Sequence, residues 1–230
     1  MKLLALDTAT ETCSAALSIA GDLRWRAAAN ARGHGEQVLA MIDELLAEAG
    51  LSLRALDAIA YGRGPGAFTG LRLAASITQG LAYSSGLPVL PVSDLRATAQ
   101  QAFQQAAVPA RVLVCQDARM GEVYWAVFEP EAGYARAATA ESVGSPASVL
   151  AAAGAWLREG GTSMAGSGLG AYPELAAAAA GCNAAFPGLG PHAREIALLA
   201  AHDGLAAALP ATQALPVYVR NNVAVAPAQS

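Results

Sequence analysis

An α/β fold made of two related lobes is what the 230-residue sequence predicts, and three observations predict it. Apolar strand patterns alternate with helical ones. A glycine-rich loop joins a buried strand to a helix. A strand-turn-strand pattern near the start returns after residue 108. The repeat is the most telling: "RVLVCQDARMGEVYWAVFEPE" lies against "LLALDTATETCSAALSIAGD", each an apolar strand ending in aspartate (Asp7 or Asp117), a polar turn and an alternating strand. Residues 1–108 are therefore expected to form an N-terminal lobe and 109–230 a C-terminal one.

Element by element, "KLLALDT" reads as a buried strand. "CSAALSIAG" and "DLRWRAAAN" read as a hairpin turning at Gly21-Asp22. In "GEQVLAMIDELLAEAG", Val38, Met41, Ile42, Leu45, Leu46 and Ala49 recur at helical spacing and Gly50 stops the run, predicting a helix over 35–49. "ALDAIAYG" reads as a buried strand, and a second helix is expected over Thr69–Ser84. "LPVLPV" is a short strand, and "SDLRATAQQAFQQ" is a helix capped by its serine or aspartate. The second copy is looser, with alanine-rich helices and glycine-rich turns such as "REGGTSMAGSGLG".

Composition narrows the classes of function. The chain is 54% hydrophobic and 14% charged with a net charge of −4, as a folded domain requires. No apolar run reaches the roughly 18 uncharged residues of a membrane span. Of 14 basic residues the only lysine is Lys2, so the acidic balance disfavours direct RNA binding. Cys13, Cys115 and Cys182 are scattered without a CxxC pair, which suggests reduced thiols and a cytoplasmic protein.

The loop "GRGPGAFTGLRLA" (62–74) invites a phosphate-binding reading, but the spacing refuses it. A P-loop needs GxxxxGK[ST], and no lysine is near. "GPGAFTG" is one residue too long for the dinucleotide fingerprint. A plain strand-to-helix turn capped by Thr69 accounts for the glycines, though not for Arg72 in the first helical turn, where the helix dipole disfavours a cation. Gly70 and Ala74, then Ser76, Gly80 and Ser84, recur at four-residue spacing, and Gly80 costs about 1 kcal/mol inside a helix. That stripe suits close approach by another helix, from this chain or a partner.

Other chemistry is weakly represented. His34, His192 and His202 make neither HExxH nor HxxxH, and "AGSGLG" is not GxSxG. Cys115 lies inside a strand, where burial is the simpler reading. Asp7 and Asp117 end corresponding strands and could face one cleft as a nucleotide site, or satisfy the amides of their own turns. Arg119 is bulky where such a site would want glycine.

Taken in order, "LLALDTAT", "GHGEQVLAMIDELL", "GRGPGAFTGLR", "DARMGEVYWAVF" and "PVYVR" resemble the TsaB (YeaZ) family over nearly the whole chain, and "GSGLGAY" resembles its second-lobe glycine turn. The resemblance implies the two-lobed actin-like ATPase and sugar-kinase fold. It also implies a noncatalytic subunit in the synthesis of threonylcarbamoyladenosine beside the tRNA anticodon. The subunit would pair with its paralogue TsaD, which carries ATP and metal, and with the ATPase TsaE. It would hold no metal or cofactor of its own and meet tRNA only through the complex. Pairing would run through helices 35–49 and 69–84. Phe68, Thr69, Gly70, Leu71, Arg72, Ala75, Ser76, Thr78, Gly80 and Tyr83 would form the partner surface, which could also support a homodimer. Asp7, Thr8 and Asp117 would mark a vestigial nucleotide site. The rival expectation is a small-molecule ATP-dependent enzyme of the same fold.

Overall fold

The computed structural model describes residues 1–29, 33–105 and 109–220. The expected lobe boundary at 108 and 109 touches a segment outside the described residues. The chain runs β1 (Lys2–Asp7), β2 (Thr12–Ile19), β3 (Asp22–Ala29), α1 (His34–Ala49), β4 (Ala58–Gly62), α2 (Phe68–Ser85), β5 (Val89–Val92) and α3 (Asp94–Phe103). It continues with β6 (Arg111–Asp117), β7 (Val123–Glu131), β8 (Tyr134–Ala137), β9 (Ser142–Gly144), α4 (Pro146–Ala152) and α5 (Gly154–Glu159). The last elements are β10 (Thr162–Ala165), α6 (Gly168–Ala171), α7 (Pro173–Ala179), β11 (Ala185–Phe186) and α8 (Ala193–Asp203).

Two mixed sheets result. One has the order β3-β2-β1-β4-β5, and the other β8-β7-β6-β10-β11 with β9 beside β7. In each, the first three strands form an antiparallel meander, and the fourth and fifth add parallel to the first. The duplicated order is the topology expected of the actin-like ATPase and sugar-kinase fold. The hairpins repeat as well. Ala20 and Gly21 turn β2 into β3, and Ala132 and Gly133 turn β7 into β8, all four with positive φ, as a two-residue turn between twisted strands requires. The first turn thus falls one residue earlier than Gly21-Asp22.

Alternation along β1 sends Leu4 and Leu6 to one face, where Val38, Ile42 and Leu45 of α1 and Ala74, Ala75 and Ala82 of α2 cover them. Leu3 and Ala5 point to the other face, against Ala97 of α3 and Ile196, Ala197 and Ala200 of α8. α3 is buried almost all round, because its Leu95, Ala99 and Phe103 pack on Val112, Val114 and Phe128 of the second sheet. Its buried Gln100 is satisfied by Ala135 N–H at 2.7 Å and Gly133 C=O at 3.1 Å, as a polar group in such a place must be.

One expectation needs correcting. The chain after residue 192 does not stay with the second lobe: α8 packs on the first sheet, Leu209 bridges to Val89, and Ala214 joins the first lobe's core. The described part of residues 109–230 is therefore not one lobe. Residues 193–220 complete the lobe that residues 1–105 begin.

Candidate functional site

The glycine loop takes its shape from what it touches. Thr8 Oγ1 donates to Gly70 C=O at 2.7 Å, and Ala67 N–H donates to Ala9 C=O at 2.9 Å. A Cβ on Gly70 would collide with the Thr8 carbonyl, and one on Gly66 would lie 2.8 Å from Ala9 Cβ. The loop after β4 therefore presses its backbone onto the turn after β1, and the glycines are there for that approach. The second lobe does the same: Cβ atoms on Gly166 or Gly168, in the loop after β10, would strike Cys115 C=O at the end of β6.

Between the lobes lies a cleft of about 1310 Å³, walled by both of these turns, the start of α2, residues 187–192 and residues 217–220. The amides of its second-lobe turn, residues 117–119, are engaged by the chain itself. Asp117 N–H donates to Ser167 Oγ at 3.1 Å, Ala118 N–H to Glu122 C=O at 2.9 Å and Arg119 N–H to Asp117 Oδ1 at 2.8 Å. The Asp117 carboxylate also accepts Tyr172 O–H at 2.9 Å and pairs with Arg119 Nη1 at 3.1 Å. Asp7 does not face the cleft. It is fully buried, accepts Ala9 N–H at 3.1 Å and meets Asp94 beneath Gly62. Asp7, Thr8 and Asp117 are thus not brought together as a set of free ligand groups. Among the described residues no group of three or more His, Cys, Asp or Glu is placed to hold a metal ion.

The α2 face is divided by burial. Gly70, Leu71, Ala75 and Thr78 turn into the chain's own interior. Phe68, Thr69, Arg72, Ser76, Gly80 and Tyr83 are exposed along one stripe, as i, i+4 spacing provides. Arg72 is not the anomaly its position suggested. Its guanidinium lies 3.9 Å from the Phe68 ring centroid, and its Nε–H donates to the Tyr218 phenol oxygen at 2.9 Å.

A family model described as "TsaD: tRNA N6-adenosine threonylcarbamoyltransferase" matches residues 28–226. The tRNA threonylcarbamoyladenosine biosynthesis protein TsaB of Escherichia coli is 38% identical over 97% of this chain and 96% of its own length. The chain belongs to the TsaB family. The TsaB protein of Haemophilus influenzae is 50% identical over 54% of the chain and 52% of its own length. YeaZ from Pseudomonas aeruginosa, a solved structure, is similar with a TM-score of 0.81 at 39% identity, covering 94% of this chain and 100% of that one.

Within the TsaB frame the expected partner surface is corrected. Gly70, Leu71, Ala75 and Thr78 are buried within the chain's own fold, and Gly70 lies against the Thr8 turn, so the exposed part of that surface is Phe68, Thr69, Arg72, Ser76, Gly80 and Tyr83. Nor is Thr69 a cap: the N-cap is Ala67 and no side chain caps α2. Sequence reasoning also missed Asp94 and Tyr218. "SDLR" reads as a helix start capped by its serine or aspartate; Ser93 is the cap, accepting Arg96 N–H at 3.1 Å, and Asp94 instead accepts Gly64 N–H. "PVYVR" stands out as a motif, but nothing local in the sequence places it against α2.

No helix of the described residues is long and apolar enough to cross a membrane. The three cysteines are free, and burial pushes the Cys115 thiol up to about 12.

Proposed function

We propose that this chain is a noncatalytic subunit in the biosynthesis of threonylcarbamoyladenosine in tRNA. It docks on a TsaD-type threonylcarbamoyltransferase through the exposed stripe of α2, with a TsaE-type ATPase joining the pair in the cytoplasm. ATP and metal belong to the partner in this reading, and tRNA is met through the complex, in keeping with the net charge of −4.

The observation that carries it is the stripe itself. Phe68 is 52% and Tyr83 79% exposed. Apart from the neighbouring turns of its own helix, no described atom comes within 4 Å of where a Cβ on Gly80 would stand. No contact among the described residues calls for a glycine there, whereas a helix approaching closely would. The self-satisfied turns of the cleft add support, since a phosphate would have to displace bonds already made.

Calorimetric titration with TsaD from the same organism tests the reading. Saturable binding near one to one, abolished by Gly80→Arg with Tyr83→Glu, is expected. An intact, folded chain that ignores TsaD but binds ATP tightly with magnesium would replace it with the small-molecule enzyme reading. Self-association through the same stripe when TsaD is absent would show as a dimer that TsaD dissolves.

A further inference from the structure

Asp7 ends β1 and Asp94 opens α3, and both are shut away from solvent, with exposures of 0% and 1%. Each spends one oxygen on a backbone amide. Asp7 Oδ1 accepts Ala9 N–H, and Asp94 Oδ2 accepts Gly64 N–H. The remaining oxygens, Asp7 Oδ2 and Asp94 Oδ1, receive no N–H or O–H from any other described group. Gly62 lies over both carboxyls, and a Cβ there would overlap the two of them.

Two ionised carboxylates in contact away from water repel each other, so a buried pair of this kind retains a proton. We propose that Asp94 keeps that proton and donates it to Asp7, and that this bond latches the glycine loop to the first turn and so fixes where α2 begins. Asp94 is then a positioning residue for the docking stripe, a consequence that rests on the reading of α2 as a docking surface.

The directions of the two groups agree. Burial and the facing Asp7 push Asp94 well above the carboxylate range. Burial raises Asp7 too, while the bond from Asp94 draws it back down. The other charges around the pair come from several elements. His34 of α1 favours the Asp7 anion, and Arg63 favours an Asp94 anion. Cys13 of β2 and Tyr61 of β4 are held neutral by burial. On α8 the buried Glu195 is paired with Arg194 at 2.6 Å. The ionisable residues of α2, Arg72 and Tyr83, are exposed. None of these supplies a donor to the two open oxygens.

Carbon-13 NMR of protein labelled at aspartate carboxyls reads the proton directly. At pH 7 one carboxyl is expected at the shift of a protonated acid, and it should vanish in Asp94→Asn. The asparagine amide still donates to Asp7 and its oxygen still accepts from Gly64, so Gly64 amide exchange in that variant stays close to the parent's. Asp94→Ala removes both bonds and should speed Gly64 exchange about tenfold to a hundredfold, with TsaD binding weakened alongside. Should Asp94→Ala not fold, the carbon-13 spectrum of the unsubstituted protein still decides. All aspartates ionised at pH 7, or a resonance moved by magnesium or calcium rather than by acid, would overturn the latch. A protein that shows the protonated carboxyl yet never binds TsaD would refute the docking reading alone.

Discussion

Arg72 and Tyr218 are joined by a hydrogen bond of 2.9 Å from Nε to the phenol oxygen, across 146 residues of sequence. The bond ties the exposed face of α2 to the segment that returns from the second lobe, and the Phe68 ring, 5.5 Å from that of Tyr218, completes the cluster. A cation in the first turn of a helix is thereby held by its own chain against the dipole.

Arg72→Ala should therefore lower the unfolding free energy of the isolated chain by about 0.5–1 kcal/mol, the worth of an exposed cation–π contact, as read from urea denaturation. Arg72→Glu, which adds repulsion at the stripe, should weaken TsaD binding further than Arg72→Ala does. Equal affinities would remove the charge of Arg72 from the docking account.

Gly70→Ala should be among the most damaging single-methyl changes in the molecule. The added carbon would overlap the Thr8 carbonyl, a backbone atom that cannot swing aside. Overpacking of this kind costs about 1–3 kcal/mol, and the thermal midpoint should fall accordingly. A midpoint within a degree of the parent's would mean the loop does not press on the first turn.

Gly80→Ala should do the opposite. With open space around its Cβ, the alanine gains helix propensity of about 1 kcal/mol, so the isolated chain should unfold at higher urea. If a partner helix passes close to this point, the same variant should bind TsaD less well despite being more stable. Stability and affinity moving apart is the signature to look for by calorimetry.

His192 gives the pH dependence a sign. Its Nδ1 accepts Arg194 N–H at 3.0 Å to cap α8, and burial, with Arg194 nearby, lowers its pKa from 6.5 to about 4. The unfolded chain thus binds a proton between these values that the folded chain refuses, and stability contributed by the neutral ring is lost as pH falls from 6.5 towards 4. Asp7, raised from 3.8 to about 6, acts with the opposite sign and loses stability as pH rises through that range. His192→Asn keeps a good cap but removes the first effect. Between pH 6.5 and 4 the variant should gain stability relative to the parent, measured by urea unfolding at both values.

The parts of this molecule legible in its sequence are those set by short-range pattern. The duplicated strand ends at Asp7 and Asp117, the six apolar positions of α1 and the turn-to-helix step, expected at Thr69 and found at Phe68, all follow from local periodicity. The four-residue spacing of small side chains suggests a close helix, yet no other described helix lies against Gly80. At Gly70 the intruder is the Thr8 carbonyl, supplied by a turn 62 residues earlier. Likewise the α8 stretch "AREIALLAAHD" carries no sign of which sheet it covers, because alanine and isoleucine suit either. The paired Ala-Gly hairpin turns were readable in principle: each follows an alternating strand at the same place in the repeat.

The return of residues 193–220 to the first sheet has a consequence for synthesis. When residues 1–105 have left the ribosome, Leu3, Ala5, Leu90 and Val92 have Ala97 of α3 beside them but still lack α8. β1 must wait for α8, made long after it, before this side of its sheet is closed. A nascent chain stalled ahead of α8 should therefore remain open to proteases and chaperones, however long it is given to fold.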